Sequence, residues 1–239
     1  MIVVGITGQI AAGKSHVAAW LAERGAIVID ADRLAAEVTS RPEVVTHLCQ
    51  EFGEEIVTSG GQLNRRGLAR LVFGPDRRHD ANLSRLEAIV HPPVRREIRA
   101  RLREAEQSGV SVAVLDVPLL IRSGWVAACD YVLAVVCNPA VQQRRIEARR
   151  WTIDDLRRRE KRQAPLAFKC RLADRVIVTD DTETARRRVD EFWNGLAQSG
   201  GPACDRSVAD DGDDRPPGCV VADWRTEVQT SFQPPPSTV

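Results

Sequence analysis

The stretch Gly8-Gln9-Ile10-Ala11-Ala12-Gly13-Lys14-Ser15 leaves this chain few options. It fits the pattern G-x-x-x-x-G-K-[ST], and the apolar run Ile2-Val3-Val4-Gly5-Ile6 before it reads as a buried strand. An amphipathic helix is expected to open near Gly13, with Val17, Ala18 and Leu21 on one face. Strand, glycine loop and helix in that order make a phosphate cradle. Successive backbone N–H groups wrap the anion, and the helix adds its positive N-terminal end. In such a cradle Lys14 reaches the β- and γ-phosphates and Ser15 ligates the magnesium that bridges them. A glycine-rich turn that merely contains Lys-Ser is the bland alternative, and the flanking strand and helix weigh against it.

Downstream, Ala26-Ile27-Val28-Ile29 reads as a second buried strand running into Asp30-Ala31-Asp32. In open parallel sheets, ligands gather beyond the carboxyl ends of strands. A carboxylate here therefore stands near the transferred phosphoryl group. One of the two aspartates can cap a helix starting near Leu34, leaving the other free, and Asp32 is the better candidate for catalysis. Residues 42–108 read as helical throughout, with Pro42 opening one helix and Pro92-Pro93 at the first turn of a stronger one. Val112–Val117 is a third buried strand that contains Asp116, an acid placed to join the magnesium shell. Tyr131–Val136 and Val176–Val178 complete a five-stranded parallel sheet flanked by helices, the fold class of phosphate-loop kinases.

Between the last two strands lies an arginine-rich segment, with Arg144, Arg145, Arg149 and Arg150 followed by Arg157, Arg158 and Arg159. Thr152 and Asp155 form a capping signal, so a helix pair is expected there rather than a loop. A basic helical lid over residues 139–173 is the usual device by which a small kinase brings guanidinium groups onto a transferring phosphoryl. A solvated arginine face explains most of the segment equally well. The last helix carries Ala185, Val189, Phe192, Trp193 and Leu196 as one apolar stripe, with Thr182 as its cap.

Composition narrows the setting. Residues 200–239 hold seven acidic side chains against three arginines, net −4, and leave +5 for residues 1–199. That modest basic excess suits a small polyanionic ligand better than nucleic acid, so no nucleic-acid partner is expected. The Pro- and Asp-rich stretch 200–239 is read as a disordered tail whose partner the sequence does not name, beyond a kinase domain at 1–199. No apolar run approaches a membrane span of roughly 18 residues. The opening strand leads straight into the loop, so it is expected to stay in the folded protein rather than serve as a cleaved leader. Six scattered cysteines without a C-x-x-C pair suit free thiols in a reducing cytoplasm.

Several separated motifs together resemble the dephospho-coenzyme A kinases. They are Gly8 to Ser15, then Ile29–Asp32 with Glu37-Val38, then Phe52–Ile56, then Leu63-Asn64-Arg65 with Phe73. His91-Pro92, Asp116–Leu120, Gln142–Arg145 with Arg149, Arg159 and Gln163, and Ala173-Asp174 follow in order. The resemblance implies transfer of the ATP γ-phosphoryl group to the ribose 3′-hydroxyl of dephospho-coenzyme A, the final step of coenzyme A synthesis. It implies ATP with magnesium, Asp32 as general base, and Lys14 and Arg145 as phosphoryl-stabilising cations. Gly8, Ala11, Ala12, Gly13, Lys14, Ser15, His16 and Arg149 become the expected ATP contacts, with Ser15 and Asp116 toward the metal. Asp32, Arg65 and His91 become the expected acceptor contacts, the latter two within a helical insertion at 42–108.

The chain departs from the family pattern at a few positions. Gln9 and Ala11 stand where glycine is usual, and Ala11 fits if its backbone does not need positive φ. Asn64 replaces an Asp, Arg122 a Phe-Glu pair, and Thr179 an Asn near the expected adenine pocket. A kinase of another small acceptor, such as a nucleoside monophosphate or shikimate, is the nearest alternative. A nucleotide-binding regulatory protein without turnover is the alternative from another class. No Asn-Lys-x-Asp motif supports a GTPase.

Overall fold

The computed structural model describes residues 1–74 and 76–198. Strand β1 (Ile2–Gly8) leads through the glycine loop into helix α1 (Lys14–Glu23), and β2 (Ile27–Asp30) runs directly into α2 (Ala31–Val38). Helices α3 (Pro42–Phe52), α4 (Arg65–Val72) and α5 (Arg77–Gln107) form the insertion before β3 (Val112–Asp116). β4 (Tyr131–Val136), α6 (Pro139–Ala148), α7 (Ile153–Lys161), α8 (Leu166–Leu172), β5 (Arg175–Val178) and α9 (Thr182–Gln198) complete the order.

The five strands pair in the order β2-β3-β1-β4-β5, every pair parallel. Their β-branched runs are apolar on both faces, as a sheet covered on both sides requires. Alternate residues serve two cores. Val3, Ile29 and Leu115 pack toward α2 to α5, while Val4, Ile6, Val114 and Leu133 pack toward α1 and α9. β2 is not the fully buried strand expected. It is an edge, and Ile27 is 36% exposed because among the described residues nothing pairs beyond it.

Two helix starts differ from expectation. Pro92 and Pro93 lie inside α5 rather than at its first turn, in a continuous helix of 31 residues. A proline cannot donate to the carbonyl four residues back, so the Ala88 and Ile89 carbonyls lose that bond. Val90, Val94 and Ile98 nevertheless bury one stripe against the first core, and this packing holds the helix through the break. At α9 the cap is Asp181, whose carboxylate accepts the Thr184 N–H at 2.7 Å, and Thr182 is already in the helix.

The arginine-rich segment forms the expected helix pair, α6 and α7, and the short α8 follows it before β5. Thr152 and Asp155 make the expected capping box at α7, with N–H to side-chain distances of 2.9 and 3.2 Å. Cys49, Cys129, Cys137 and Cys170 are free thiols. Among the described residues no helix is long and apolar enough to cross a membrane. The expected tail at 200–239 lies outside the described residues.

Candidate active site

Gly8 ends β1 at φ 135°, and a Cβ there would lie 2.1 Å from the Val135 carbonyl oxygen. Only glycine allows the chain to turn this close to β4. Gln9 then fastens the loop, donating its N–H to Val135 O at 2.9 Å and accepting from Cys137 N–H at 3.0 Å. The residue that replaces a usual glycine thus ties the loop to the strand beside it. Ala11 sits at φ 59°, so the condition set for it is not met. An alanine held in this left-handed region carries roughly 1–2 kcal/mol of strain.

Gly13 caps α1 without any side-chain hydrogen bond, and no acid occupies the first turn. The first N–H groups and the positive helix end therefore face the loop's concave side, an arrangement made for an anion. Lys14 reaches back to the Gln9 carbonyl at 2.9 Å. Burial lowers its pKa, with Asp116 opposing that shift and Arg149 adding to it. Ser15 and His16 are exposed on the same turn, where the His16 ring stacks on Trp20. Ala12 is fully buried, and its carbonyl accepts the Thr179 hydroxyl at 2.5 Å.

Thr179 also organises Arg145. The guanidinium donates to the Thr179 hydroxyl at 3.0 Å and its carbonyl at 2.9 Å, and so lies against Gly13. Arg145 is thereby delivered to the loop. Lys169 is a residue that sequence reasoning missed. It is 5% exposed, and its ammonium donates to the Gly8 carbonyl at 2.8 Å and to Gln163. Burial first, then the charge of Lys14, lowers its pKa to about 8. A signal was present: lysine is used at only three positions in the whole chain, Lys14, Lys161 and Lys169. Where arginine supplies nearly every cation, a deep-set lysine marks a need for a compact ammonium.

On the other side of the loop, Asp30 accepts the Arg33 N–H at 3.0 Å and caps α2. Asp32 follows in the first turn and is left uncommitted by the cap. Its side chain is accessible at the cleft mouth, yet the cleft walls displace enough water to raise its pKa. Asp30 adds to the rise, while Arg159 and Lys14 oppose it. Asp116 lies beside Asp30 in the register of β2 and β3. Its pKa is also raised, by burial first, with Lys14 opposing.

Asp32, Arg65 and His91 all line one cavity of about 590 Å³, walled mainly by apolar side chains such as Leu68, Val90 and Trp125. Arg65 is held in place by donating to the Ala36 carbonyl at 2.7 Å and the Ser40 hydroxyl at 3.0 Å. Asn64 caps α4 by accepting from Gly67 N–H at 3.0 Å, work that an Asp there does equally well. His91 has its pKa lowered by burial, against the pull of Glu87. Arg122 donates to the Arg162 carbonyl at 2.6 Å, and Arg162 pairs with Glu87 on α5. The cation that replaces the usual Phe-Glu pair thus ties the loop after β3 to the end of α7.

The family model described as dephospho-CoA kinase matches residues 2–185. A dephospho-CoA kinase of Bdellovibrio bacteriovorus is 38% identical over 197 residues, which are 82% of this chain and 96% of the relative. One from Rhodopirellula baltica is 35% identical, covering 79% of this chain and 88% of the relative. Among solved structures, TT1252 from Thermus thermophilus is 35% identical with a TM-score of 0.69, covering 84% of this chain and 98% of that one. A dephospho-CoA kinase from Campylobacter jejuni, 18% identical with a TM-score of 0.58 over 81% of this chain and 96% of that one, supports the fold.

Proposed function

The chain belongs to the dephospho-CoA kinase family, and we propose that Asp32, Lys14 and Arg145 carry its phosphoryl transfer. The activity is the last step of coenzyme A synthesis, in which ATP phosphorylates the ribose 3′-hydroxyl of dephospho-CoA. The observation that carries the residue assignment is the position of Asp32. It lines the 590 Å³ cavity that also holds Arg65 and His91, and it lies near enough to Lys14 of the glycine loop for that charge to oppose the rise in its pKa.

In this reading the cavity takes the acceptor, and Arg65 and His91 orient its polar end. Asp32 accepts the proton of the ribose hydroxyl as the oxygen forms its bond to the γ-phosphorus. The bond from that phosphorus to the β-bridging oxygen breaks, and ADP leaves with the electron pair. The loop N–H groups and Lys14 hold the phosphates, while Arg145 and Arg149 offset charge that spreads over the transferring group. Residues 1–199 act as the kinase body, with 42–108 as the acceptor insertion and 139–173 as the lid.

The residues fit a magnesium ion held largely by phosphate. Ser15 offers an exposed hydroxyl, and Asp116 a carboxylate on the neighbouring strand end. Among the described residues no group of three acids, histidines or cysteines would hold a metal alone. Magnesium typically needs only one or two protein oxygens besides substrate phosphates and water. When bound, such an ion supplies neutralisation of the β- and γ-oxygens.

The test is ADP release measured with dephospho-CoA, AMP, shikimate and no acceptor. Release should rise many-fold with dephospho-CoA and little with the others. Equal release without any acceptor would overturn the assignment.

A further inference from the structure

Trp151 joins α6 to α7, and neither the loop motif nor the lid arginines explain it. Two guanidiniums lie over its indole, Arg159 at 4.1 Å and Arg149 at 5.3 Å from the ring centroid. Both distances fall within the roughly 6 Å at which a cation is attracted to an indole face. The same ring packs on a small apolar cluster of Ile10 and Ala11 from the phosphate loop with Ile146 of α6 and Leu156 of α7. One side chain therefore touches the loop that holds the nucleotide and two cations of the lid above it.

Backbone conformation points to the same spot independently. Among the described residues, the two non-glycine positions at positive φ are Ala11 at 59° and Arg150 at 57°. Ala11 packs in the cluster around Trp151, and Arg150 is its chain neighbour. Strain of this kind persists only where surrounding contacts over-determine the backbone, and it concentrates at functional sites. The cluster holds Ala11, whereas Arg150 is the left-handed turn that ends α6, closed by the Trp151 N–H donating to the Ile146 carbonyl at 3.2 Å. Arg159 is also close enough to Asp32 for its charge to oppose the rise in that carboxyl's pKa.

We propose that Trp151 is a positioning residue: its indole, braced on Ile10 and Ala11 of the phosphate loop, holds Arg149 and Arg159 over the site of phosphoryl transfer. A long arginine side chain otherwise samples many rotamers, and ordering it at the moment of reaction costs side-chain entropy. Stacking on a fixed ring removes much of that freedom beforehand. The guanidiniums then meet the developing charge without reorganising, the condition under which electrostatic stabilisation is most effective. The inference rests on the kinase reading of the lid given above.

Trp151→Leu and Trp151→Phe separate the aromatic face from mere apolar bulk. Trp151→Leu should lower kcat on the order of tenfold, with KM for ATP changed by less than about threefold, because two cation–indole contacts are lost. Trp151→Phe keeps a face and should recover most of the rate. An unchanged kcat in Trp151→Leu, an equal loss in both variants, or a loss expressed in KM alone overturns the proposal. The wild-type protein supplies a check that needs neither variant to fold. Side-chain protons of Arg149 and Arg159 should resonate upfield through the ring current of Trp151, and unshifted resonances overturn the stacking. A wild type inert with dephospho-CoA would instead overturn the kinase reading and this role with it. Normal wild-type turnover matched by Trp151→Leu overturns the positioning role alone.

Discussion

Asp30 ends β2 and Asp32 stands two positions on in the first turn of α2, and the backbone divides their roles. Asp30 accepts the Arg33 N–H and is consumed as a helix cap, whereas Asp32 faces the cleft. Replacement of Asp32 by Asn keeps the shape and removes the basic electron pair. A positioned general base typically contributes about 100- to 10,000-fold to rate, so Asp32→Asn should lower kcat by something in that range. ATP affinity should barely change, because loop N–H groups and Lys14 hold the phosphates. Single-turnover kinetics and nucleotide titration measure the two effects separately, and a kcat within a few-fold of wild type would remove Asp32 from the mechanism. Most of the candidate residues were readable singly, since Lys14, Ser15, Arg145 and Asp32 all sit inside linear patterns. Lys169 was not, because its partner Gly8 is 161 positions away. The same holds for the hydrogen bonds by which Thr179 holds Arg145 and Ala12.

Elements followed the same division between local and distant causes. All five strands and the capping box at α7 were legible because apolar runs and cap spacing are local signals. The exposed edge at β2 was not, since an apolar run says nothing about which side of the sheet lacks a neighbour. Pro92-Pro93 misled for a related reason: a proline pair is a good local start signal, but the stripe of Val90, Val94 and Ile98 crosses it and packs as one face. The helix therefore spans a position where its own hydrogen bonding fails. Proline in a helix interior is about 3 kcal/mol less favourable than alanine, and its stiffening of the unfolded chain returns about 0.4–1 kcal/mol. Pro93→Ala gives the Ile89 carbonyl a donor and should stabilise the protein by up to about 2 kcal/mol. For a domain of this size that is a rise in Tm of roughly 4–8 °C. Calorimetry decides it, and a lower Tm would show that packing of the proline ring outweighs the missing bond.

At the scale of the whole molecule, three parts meet at the carboxyl ends of β1, β2 and β3, and each brings titrating groups to one cleft. β3 supplies Asp116, the start of α1 supplies Lys14, α5 supplies His91 and α8 supplies Lys169. Arg122, Arg162 and Glu87 tie the loop after β3 and the end of α7 to α5. The pH dependence of turnover should therefore be bell-shaped. Asp32 must be ionised to act as base, and its pKa is raised from the usual 3.8, so kcat/KM rises with pH on the acid side at a displaced midpoint. Lys169 faces Lys14 from the loop helix, Glu160 from α7 and Cys170 from its own helix, and it titrates near 8. Its charged bond to the Gly8 carbonyl weakens as the proton leaves, so activity falls above about pH 8. Stability should move the other way. The folded protein holds this proton less tightly than the unfolded chain, whose lysine titrates near 10.5, so between these values the unfolded state binds more protons. Wild-type stability should thus rise relative to Lys169→Met as pH increases from 8 toward 10.5, while wild-type activity declines. Lys169→Met should lower the plateau rate and lose the alkaline limb near pH 8. Urea melts and rate profiles of both proteins across pH 6 to 10 test the pair of trends. An alkaline limb unchanged in Lys169→Met would move that titration to Lys14, whose pKa burial also lowers.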